Sequence, residues 1–187
     1  MQVRIAGLVP ESFVDGSGIR FAIFMQGCLR RCEGCHNPNT HKLTDGNVID
    51  TEELLRRIET RRKILSGITL TGGEPLLQFD AALELARGAK SLGLNVWLYT
   101  GYRYEELTPA ADALLNHVDV LVDGEFILAK RDLELPFRGS SNRGGKQESV
   151  TRQSDSFRYK RLGQSMADGS RRGTCNETFR RIEKGNR

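Results

Sequence analysis

The sequence predicts a single α/β domain, built as an open, partial barrel of alternating strands and helices. Short apolar runs and helical patterns alternate at intervals of roughly 20–45 residues, which is typical of parallel βαβ units. Connections between parallel strands are right-handed, so the strand ends and their loops are expected to gather on one rim. The chain has 187 residues, and a complete eightfold barrel needs roughly 250. The barrel is therefore expected to stay open.

Two strands are predicted at the N-terminal end, on either side of a turn-rich loop. Residues 3–9 form an apolar run that ends at Pro10, which favours an edge strand or a lead-in to the sheet. Residues 12–18 hold the turn-forming side chains. Residues 19–25 are rich in β-branched and aromatic side chains and predict a buried strand. The loop after this strand lies where α/β barrels place their chemistry.

The central part of the chain continues the alternation of helices and strands. Asp50, followed by Glu53, predicts a capped start for a helix that runs to about Leu65. Apolar spacing predicts the remaining strands and helices, and a Thr-Pro pair marks the start of one helix. They are strands over residues 67–71, 96–100 and 118–122, a helix carrying Ala82, Leu85, Ala86 and Ala89, and a helix opened by Thr108 and Pro109.

The composition changes near residue 143, so we predict a folded domain over residues 1–143 and a tail over residues 144–187. Five of the tail's 44 residues are Val, Leu, Ile or Phe, too few to offset the entropy lost on ordering. The tail carries a charge of +6 and the preceding residues −2, so the net +4 does not indicate a nucleic-acid surface on the folded body. The tail is expected to be disordered, with Cys175 as a free thiol.

Three cysteines within eight residues form the most distinctive stretch of the chain. Cys28, Cys32 and Cys35 follow the second predicted strand. Four thiolates usually hold an iron–sulfur cubane, so three would leave one iron open to an outside ligand. Zinc is the alternative, with His36 or Cys175 as a fourth ligand, although structural zinc sites usually pair their ligands at two distant places. A disulfide is disfavoured because cysteines this close rarely meet bridging geometry.

The Cys-x-x-x-Cys-x-x-Cys spacing resembles the cluster motif of the radical S-adenosylmethionine enzymes. In that family the amino and carboxylate groups of the cofactor chelate the open iron of a [4Fe–4S] cluster. The resemblance implies that the three cysteines ligate such a cluster and that the fold is the family's partial barrel. Residues 14–20 and 35–38 resemble the flanks found in activating enzymes for glycyl-radical proteins, except that Ser17 stands where proline is usual.

A glycine-rich loop provides the second part of the predicted cofactor site. Residues 72–75, Gly-Gly-Glu-Pro, resemble the family motif that binds the methionyl ammonium of S-adenosylmethionine. Glycines there would let the backbone approach the ligand, and the Glu74 carboxylate would add a charge-assisted hydrogen bond. The alternatives are a simple Gly-Gly turn and, for His36, an exposed loop histidine. The cofactor-binding residues implied by the resemblance are Gly34, Cys35, His36, Gly72, Gly73 and Glu74.

Three later segments narrow the resemblance to one subgroup. Residues 99–102, 121–126 and 138–142 resemble segments of the activating proteins of anaerobic, class III ribonucleotide reductases. The subgroup implies an oxidoreductase that reductively cleaves S-adenosylmethionine and uses the 5′-deoxyadenosyl radical to form a glycyl radical. Its implied partners are the glycyl-radical subunit of anaerobic ribonucleoside-triphosphate reductase and a low-potential electron donor. No catalytic side chain is expected beyond the cluster and cofactor site, since no acid–base constellation stands out.

Two alternative functions stay open. The first is an activase for another glycyl-radical protein of the pyruvate formate-lyase type, and the second is a non-catalytic metal-binding module.

Arg138 is expected either to hold the partner or to pair with a local carboxylate, and Asp123 either to serve the site or to form a turn. Clustered thiolates, with no signal peptide and no long apolar run, favour the cytoplasm without membrane or nucleic-acid partners.

Overall fold

Seven strands form one open sheet in this computed structural model, which describes residues 1–147. The strand order across the sheet is β3-β1-β2-β4-β5-β6-β7. The strands, in chain order, are β1 (Gln2–Ser12), β2 (Arg20–Met25), β3 (Asn47–Asp50), β4 (Gly67–Gly72), β5 (Asn95–Tyr99), β6 (Val120–Asp123) and β7 (Gly144–Gln147).

The four central strands, β2, β4, β5 and β6, run parallel to one another. β1 pairs antiparallel with β2 and β3, and β7 pairs antiparallel with β6. This arrangement confirms the predicted α/β class, with a mixed sheet that is parallel at its centre and does not close. It also places the C-terminal ends of the four central strands on one rim, because parallel strands end on the same side.

Three helices lie in the connections between the parallel strands. They are α1 (Thr51–Glu59), α2 (Phe79–Ser91) and α3 (Asp112–Leu115). Asp50 caps α1 as predicted, and its carboxylate accepts a hydrogen bond from the Glu52 backbone N–H at 2.8 Å. The prediction that this helix runs to Leu65 was wrong. Backbone hydrogen bonds of the i to i+3 type tighten residues 58–62 into turns, so the helix ends at Glu59.

The sequence patterns did not predict the two outer strands, β3 and β7. They also predicted β1 to be shorter than it is. β3 is largely exposed and lacks a buried alternating face, so nothing in its sequence marks it as a strand. β1 was expected to end before Pro10, but it continues to Ser12. Proline is tolerated there because β3 pairs with residues 2–5 of β1, which leaves the Pro10 end bonded on one side to β2.

The two faces of the sheet are packed differently. Alternate β2 residues, Phe21, Ile23 and Met25, join the large core beneath the helices, together with Leu54 of α1 and Leu85 of α2. The opposite face carries smaller apolar groups: Ala22 and Phe24 with Val9, and Trp97 with Val120 and Val122. Loops cover this second face, and the cavity described below opens there.

The C-terminal end of the described residues bears on the predicted domain boundary and on the predicted tail. β7 pairs with β6, so the sheet extends to Gln147, four residues past the predicted domain boundary at residue 143. The rest of the predicted tail, with Cys175, lies outside the described residues. Within residues 1–147, no helix is long and apolar enough to cross a membrane.

Candidate functional site

A large cavity lies over the C-terminal ends of the parallel strands. Its volume is about 1490 Å³, larger than the roughly 300–1,000 Å³ of a typical small-molecule pocket. Four segments line it: the cysteine loop (residues 27–37), the glycine-rich loop (residues 72–74), the turn-rich loop before β2 and the segment 132–139. Strand β5 adds the ring of Tyr99. The predicted site residues therefore line a cavity at this rim, except Gly34, which is exposed and lies outside the lining.

The cysteine loop brings the three thiols to the cavity wall. Cys28, Cys32 and Cys35 are all free, partly buried and in contact with the cavity. A turn closes the loop, with the Cys35 N–H donating to the Cys32 carbonyl at 3.2 Å. Burial raises the pKa of the Cys35 thiol, while a hydrogen bond from the Asn37 N–H to its sulfur at 3.4 Å acts in the opposite direction.

The three thiols bear on which metal group the loop could hold. Within residues 1–147, no three His, Cys, Asp or Glu side chains form a group that could hold one metal ion. The ligands of a zinc ion lie at about 2.0–2.3 Å from one centre, whereas the thiolates of a cubane each bind a different iron.

The glycine-rich loop packs backbone to backbone against the cysteine loop. The Gly73 N–H donates to the Met25 carbonyl at 2.7 Å, and the Glu74 N–H donates to the Gly27 carbonyl at 2.7 Å. A Cβ atom on Gly73 would lie 2.3 Å from the Gly27 carbonyl oxygen, and Gly72 has a φ of +97°. The glycines were predicted for approach to a ligand. The structure adds a second reason, because a side chain at position 73 would force the two loops apart.

Glu74 ties the glycine-rich loop to the end of β5. Its carboxylate accepts hydrogen bonds from the Gly101 N–H at 2.8 Å, the Thr100 hydroxyl at 2.9 Å and the Leu76 N–H at 3.1 Å. Burial raises the pKa of the carboxyl, and these hydrogen bonds oppose the rise. Three of about four acceptor positions on the carboxylate are thus occupied.

His36 lies in the cavity wall against an aromatic ring. Its imidazole packs on Phe126, with ring centroids 4.9 Å apart, and a Cβ atom on Gly139 would lie 2.8 Å from it. Burial lowers the pKa of His36, and the charges of Arg131 and Arg143 lower it further. The histidine is therefore not a freely exposed loop residue. Gly34, two positions earlier, has a φ of +68°, a conformation that favours glycine.

The residue 14–20 motif forms a buried polar network beneath the cavity floor. Arg20 is 1% exposed, and its guanidinium bonds to the Thr69 hydroxyl at 3.0 Å and to the Asn95 side chain at 3.1 Å. Burial lowers the pKa of Arg20 to about 10. Asp15 accepts a 2.5 Å hydrogen bond from Ser12, and the Thr69 hydroxyl donates to the Asp15 carbonyl at 2.7 Å. The network holds the turn-rich loop against β4.

The later motifs also reach the rim and make local contacts there. One carboxylate oxygen of Asp123 accepts from the Tyr104 N–H at 2.8 Å. Arg138 was expected to contact a partner or a local carboxylate. In the structure its guanidinium donates to the Arg143 carbonyl at 3.1 Å. Asn142 donates to the Glu125 carbonyl at 2.9 Å, so the 138–142 segment closes back on the loop after β6.

Two arginines at the site were not singled out from the sequence. Arg30, inside the cysteine loop, contacts the loops after β5 and β6. Arg143, next to β7, donates to the Thr100 carbonyl at 3.1 Å and lies 5.8 Å from the centre of the Tyr99 ring. An arginine carries no motif of its own, so only tertiary structure shows that these two reach the cavity.

The cavity wall contains polar atoms that are suited to a polar ligand. Four buried atoms, Arg30 Nε, Asn37 Oδ1, His41 Nε2 and Arg143 Nε, have no hydrogen-bond partner within residues 1–147. All four residues line the cavity. Buried polar groups are nearly always satisfied, so such atoms point to a bound group. Together with the three thiols in the cavity wall, they fit an iron–sulfur cluster and a polar organic cofactor.

Comparison with known proteins agrees with this site. The 4Fe-4S single cluster domain family matches residues 14–144. The anaerobic ribonucleoside-triphosphate reductase-activating protein of Vibrio cholerae serotype O1 is 36% identical over 140 residues, covering 71% of this chain and 90% of the relative. The proteins of the same name from Escherichia coli K12 and from Enterobacteria phage T4 are 33% and 32% identical, covering 91% and 88% of their lengths. Each alignment spans 71–72% of this chain.

The matched region contains the three cysteines, the glycine-rich loop and the rim motifs of the cavity. The identity exceeds 30% over most of each relative's length, and the cluster domain covers more than half of this chain. The chain therefore belongs to the anaerobic ribonucleoside-triphosphate reductase-activating protein family, activating enzymes that contain a single [4Fe–4S] cluster domain.

Proposed function

We propose that the chain reductively cleaves S-adenosylmethionine at a [4Fe–4S] cluster and thereby generates a glycyl radical on an anaerobic ribonucleoside-triphosphate reductase. One observation carries the proposal: the three thiols and the glycine-rich loop face one cavity at the ends of the parallel strands. The reductase enters as the target named for the relatives. The open sheet is consistent with the partial barrel of the radical S-adenosylmethionine type.

In this proposal Cys28, Cys32 and Cys35 hold three irons of the cluster. A cluster bound by these three residues would supply the electron for reductive cleavage of S-adenosylmethionine. The cysteine loop is suited to holding the cluster because backbone hydrogen bonds tie its start to the segment just beyond its end. The Gly27 N–H donates to the Thr40 carbonyl at 2.8 Å, and the Cys28 N–H donates to the His41 carbonyl at 3.1 Å.

The cofactor-binding residues proposed are Gly34, Cys35, His36, Gly72, Gly73 and Glu74, all but Gly34 in the cavity wall. Glu74 keeps one acceptor position for the methionyl ammonium, a charge-assisted bond in a buried place. The imidazole of His36, held by Phe126, offers a flat surface for the adenine ring. No acid or base is required of the protein, whose part is to orient the cofactor and exclude water.

The partner's glycine must approach through the open side of the cavity. Phe13 and Leu133 line this cavity and are 67% and 65% exposed. Large exposed apolar side chains at a cavity mouth favour contact with a protein surface. A glycine loop suits this entrance, because it has no side chain to block the approach of its Cα. We also infer a low-potential electron donor and a cytoplasmic location, where clustered thiols stay reduced.

The test uses chain reconstituted anaerobically with iron and sulfide, then supplied with S-adenosylmethionine and a reductant. Purified class III reductase is added in one sample and pyruvate formate-lyase in another. We expect 5′-deoxyadenosine in the product mixture and a glycyl radical, detected by electron paramagnetic resonance, on the reductase alone. A radical confined to pyruvate formate-lyase would favour that type of activase. An intact cluster that forms no 5′-deoxyadenosine would indicate a non-catalytic cluster protein.

A further inference from the structure

Backbone hydrogen bonds tie the start of the cysteine loop to the segment just beyond its end, while the middle of the loop projects. The backbone of Gly27 and Cys28 is hydrogen-bonded to residues 40 and 41. Leu29, between the first two cysteines, is 62% exposed, and Arg31 has a φ of +48°. A loop that projects in this way needs side-chain contacts to keep a fixed position.

Arg30 supplies such contacts to the opposite side of the rim. Its guanidinium lies over the ring of Tyr102, 4.4 Å from the ring centre, in the loop after β5. One terminal nitrogen forms a 2.8 Å hydrogen bond with Glu106, and the other lies 3.6 Å from Glu125 in the loop after β6. The side chain of Arg30 is 22% exposed. A Cβ atom on Gly101 would lie 2.7 Å from its Cδ, so the aliphatic stem is closely packed too.

We infer that Arg30 is a positioning residue that latches the cysteine loop onto the loops after β5 and β6 and so slows loss of the cluster. The latch comprises Arg30, Tyr102, Glu106 and Glu125. Release of the cluster requires the thiols to separate, and the middle of the loop can swing away only when these contacts break. The inference rests on the proposed function, since it assumes a cluster on the three cysteines.

The expected size of the effect follows from the kinds of contact. The two carboxylates are 45% and 43% exposed, so each ion pair is weak and screened by salt. The contact with the Tyr102 ring adds an attraction that salt reduces less. Together they correspond to about a tenfold change in the equilibrium between closed and open loop.

The experiment compares Arg30→Met with Arg31→Met in the full, reconstituted chain. Both variants remove one positive charge from the same loop, but Arg31 is exposed and makes no contact of this kind among the described residues. The measurement is the rate of iron release to bipyridyl. We expect release to be about tenfold faster in Arg30→Met and unchanged in Arg31→Met. Added salt should speed release from the wild type and narrow the difference.

Exchanging the charges of Arg30 and Glu106 distinguishes a latch held by ion pairs from one held only by side-chain packing. Arg30→Glu should speed release more than Arg30→Met, and Glu106→Arg added to it should restore part of the slow rate. If Arg30 variants fail to fold, Glu106→Gln combined with Glu125→Gln tests the same contacts without altering the cysteine loop. Equal release rates in Arg30→Met, Arg31→Met and wild type would overturn the latch. Absence of a cubane in the wild type would instead contradict the proposed function.

Discussion

The helix-covered face of the sheet and the rim at the strand ends are held together by different interactions. The face beneath α1 and α2 buries a continuous set of apolar side chains, among them Leu54, Ile58 and Leu85, each 0% exposed. The rim has few apolar contacts and depends on backbone hydrogen bonds, close glycine packing and buried charges. Apolar burial is nondirectional and sums over many residues, whereas the rim contacts are directional and individually specific.

This difference implies a division between stability and binding. Loss of an apolar side chain beneath the helices should lower the free energy of unfolding and leave the geometry of the cavity intact. A change at the rim should affect ligand binding more than folding, because its loops contribute less apolar burial. The predictions below test that division, beginning with the largest expected change in stability.

Leu85→Ala should give the largest loss of stability. The side chain is fully buried in α2, and truncation of this kind costs about 2–5 kcal/mol. Urea unfolding of the cluster-free protein measures the loss. At low temperature, where the variant stays folded, reconstituted cluster content should equal that of the wild type. Loss of the cluster from a folded Leu85→Ala protein would show that the core and the rim are not separable.

Gly73→Ala should damage the rim more than the core. The added Cβ would lie 2.3 Å from the Gly27 carbonyl oxygen, and overpacking of this kind costs about 1–3 kcal/mol. We expect at least about tenfold weaker binding of S-adenosylmethionine by titration calorimetry, with reduced cluster content. Gly93→Ala is the control for a strained alanine away from the site: its φ of +76° disfavours a side chain, but a Cβ there meets nothing within 4 Å and the residue does not line the cavity, so it should lose stability and keep its affinity. Equal affinities in the two variants would mean that the loop contact is unimportant.

Glu74→Gln should weaken the link between the glycine-rich loop and β5. An amide cannot accept at both ends, so at least one of the donors from Leu76, Thr100 and Gly101 loses its partner. A buried donor left unsatisfied costs about 1–3 kcal/mol. Urea unfolding and calorimetry should show losses in both stability and cofactor affinity. Thr100→Ser, which keeps the hydroxyl, should behave like the wild type.

Asp15→Asn should produce the smallest effect, visible as a change with pH. Burial raises the pKa of Asp15 above its ordinary value of 3.8, so the folded chain protonates this carboxyl more readily than the unfolded chain. Its contribution is fully present below that value and is lost as pH rises through the folded pKa. The wild type should therefore lose stability relative to Asp15→Asn as the pH rises above about 4. A constant difference in unfolding free energy above that pH would contradict the shift.

The sequence predicted the part of the fold that is governed by apolar periodicity. Strands β2, β4, β5 and β6 lie within a few residues of their predicted positions, because each is a buried run between turn-forming residues. β3 and β7 were missed, since outer strands need only one bonded neighbour and little apolar character. Helix α1 was predicted too long because apolar spacing continues beyond Glu59 while the backbone does not.

The candidate site was predictable where a chemical motif exists. The cysteine spacing and the Gly-Gly-Glu-Pro loop identified two segments that the structure places around one cavity. The hydrogen bonds of Glu74 to the end of β5, and the contacts of Arg30 with Glu106, join residues 27 and 76 positions apart. No local pattern carries information about such pairs. They follow from the strand order, which brings distant loops to the same rim.

The most direct test of the division between core and rim is made on Cys32→Ala. Iron content after reconstitution and thermal unfolding of the cluster-free protein are measured together, with Cys175→Ala as the control. We predict that Cys32→Ala retains no cubane and unfolds at the same temperature as the cluster-free wild type, while Cys175→Ala retains the cluster. A full cubane in Cys32→Ala, or a marked fall in its unfolding temperature, would contradict the assignment of cluster binding to the rim and stability to the core.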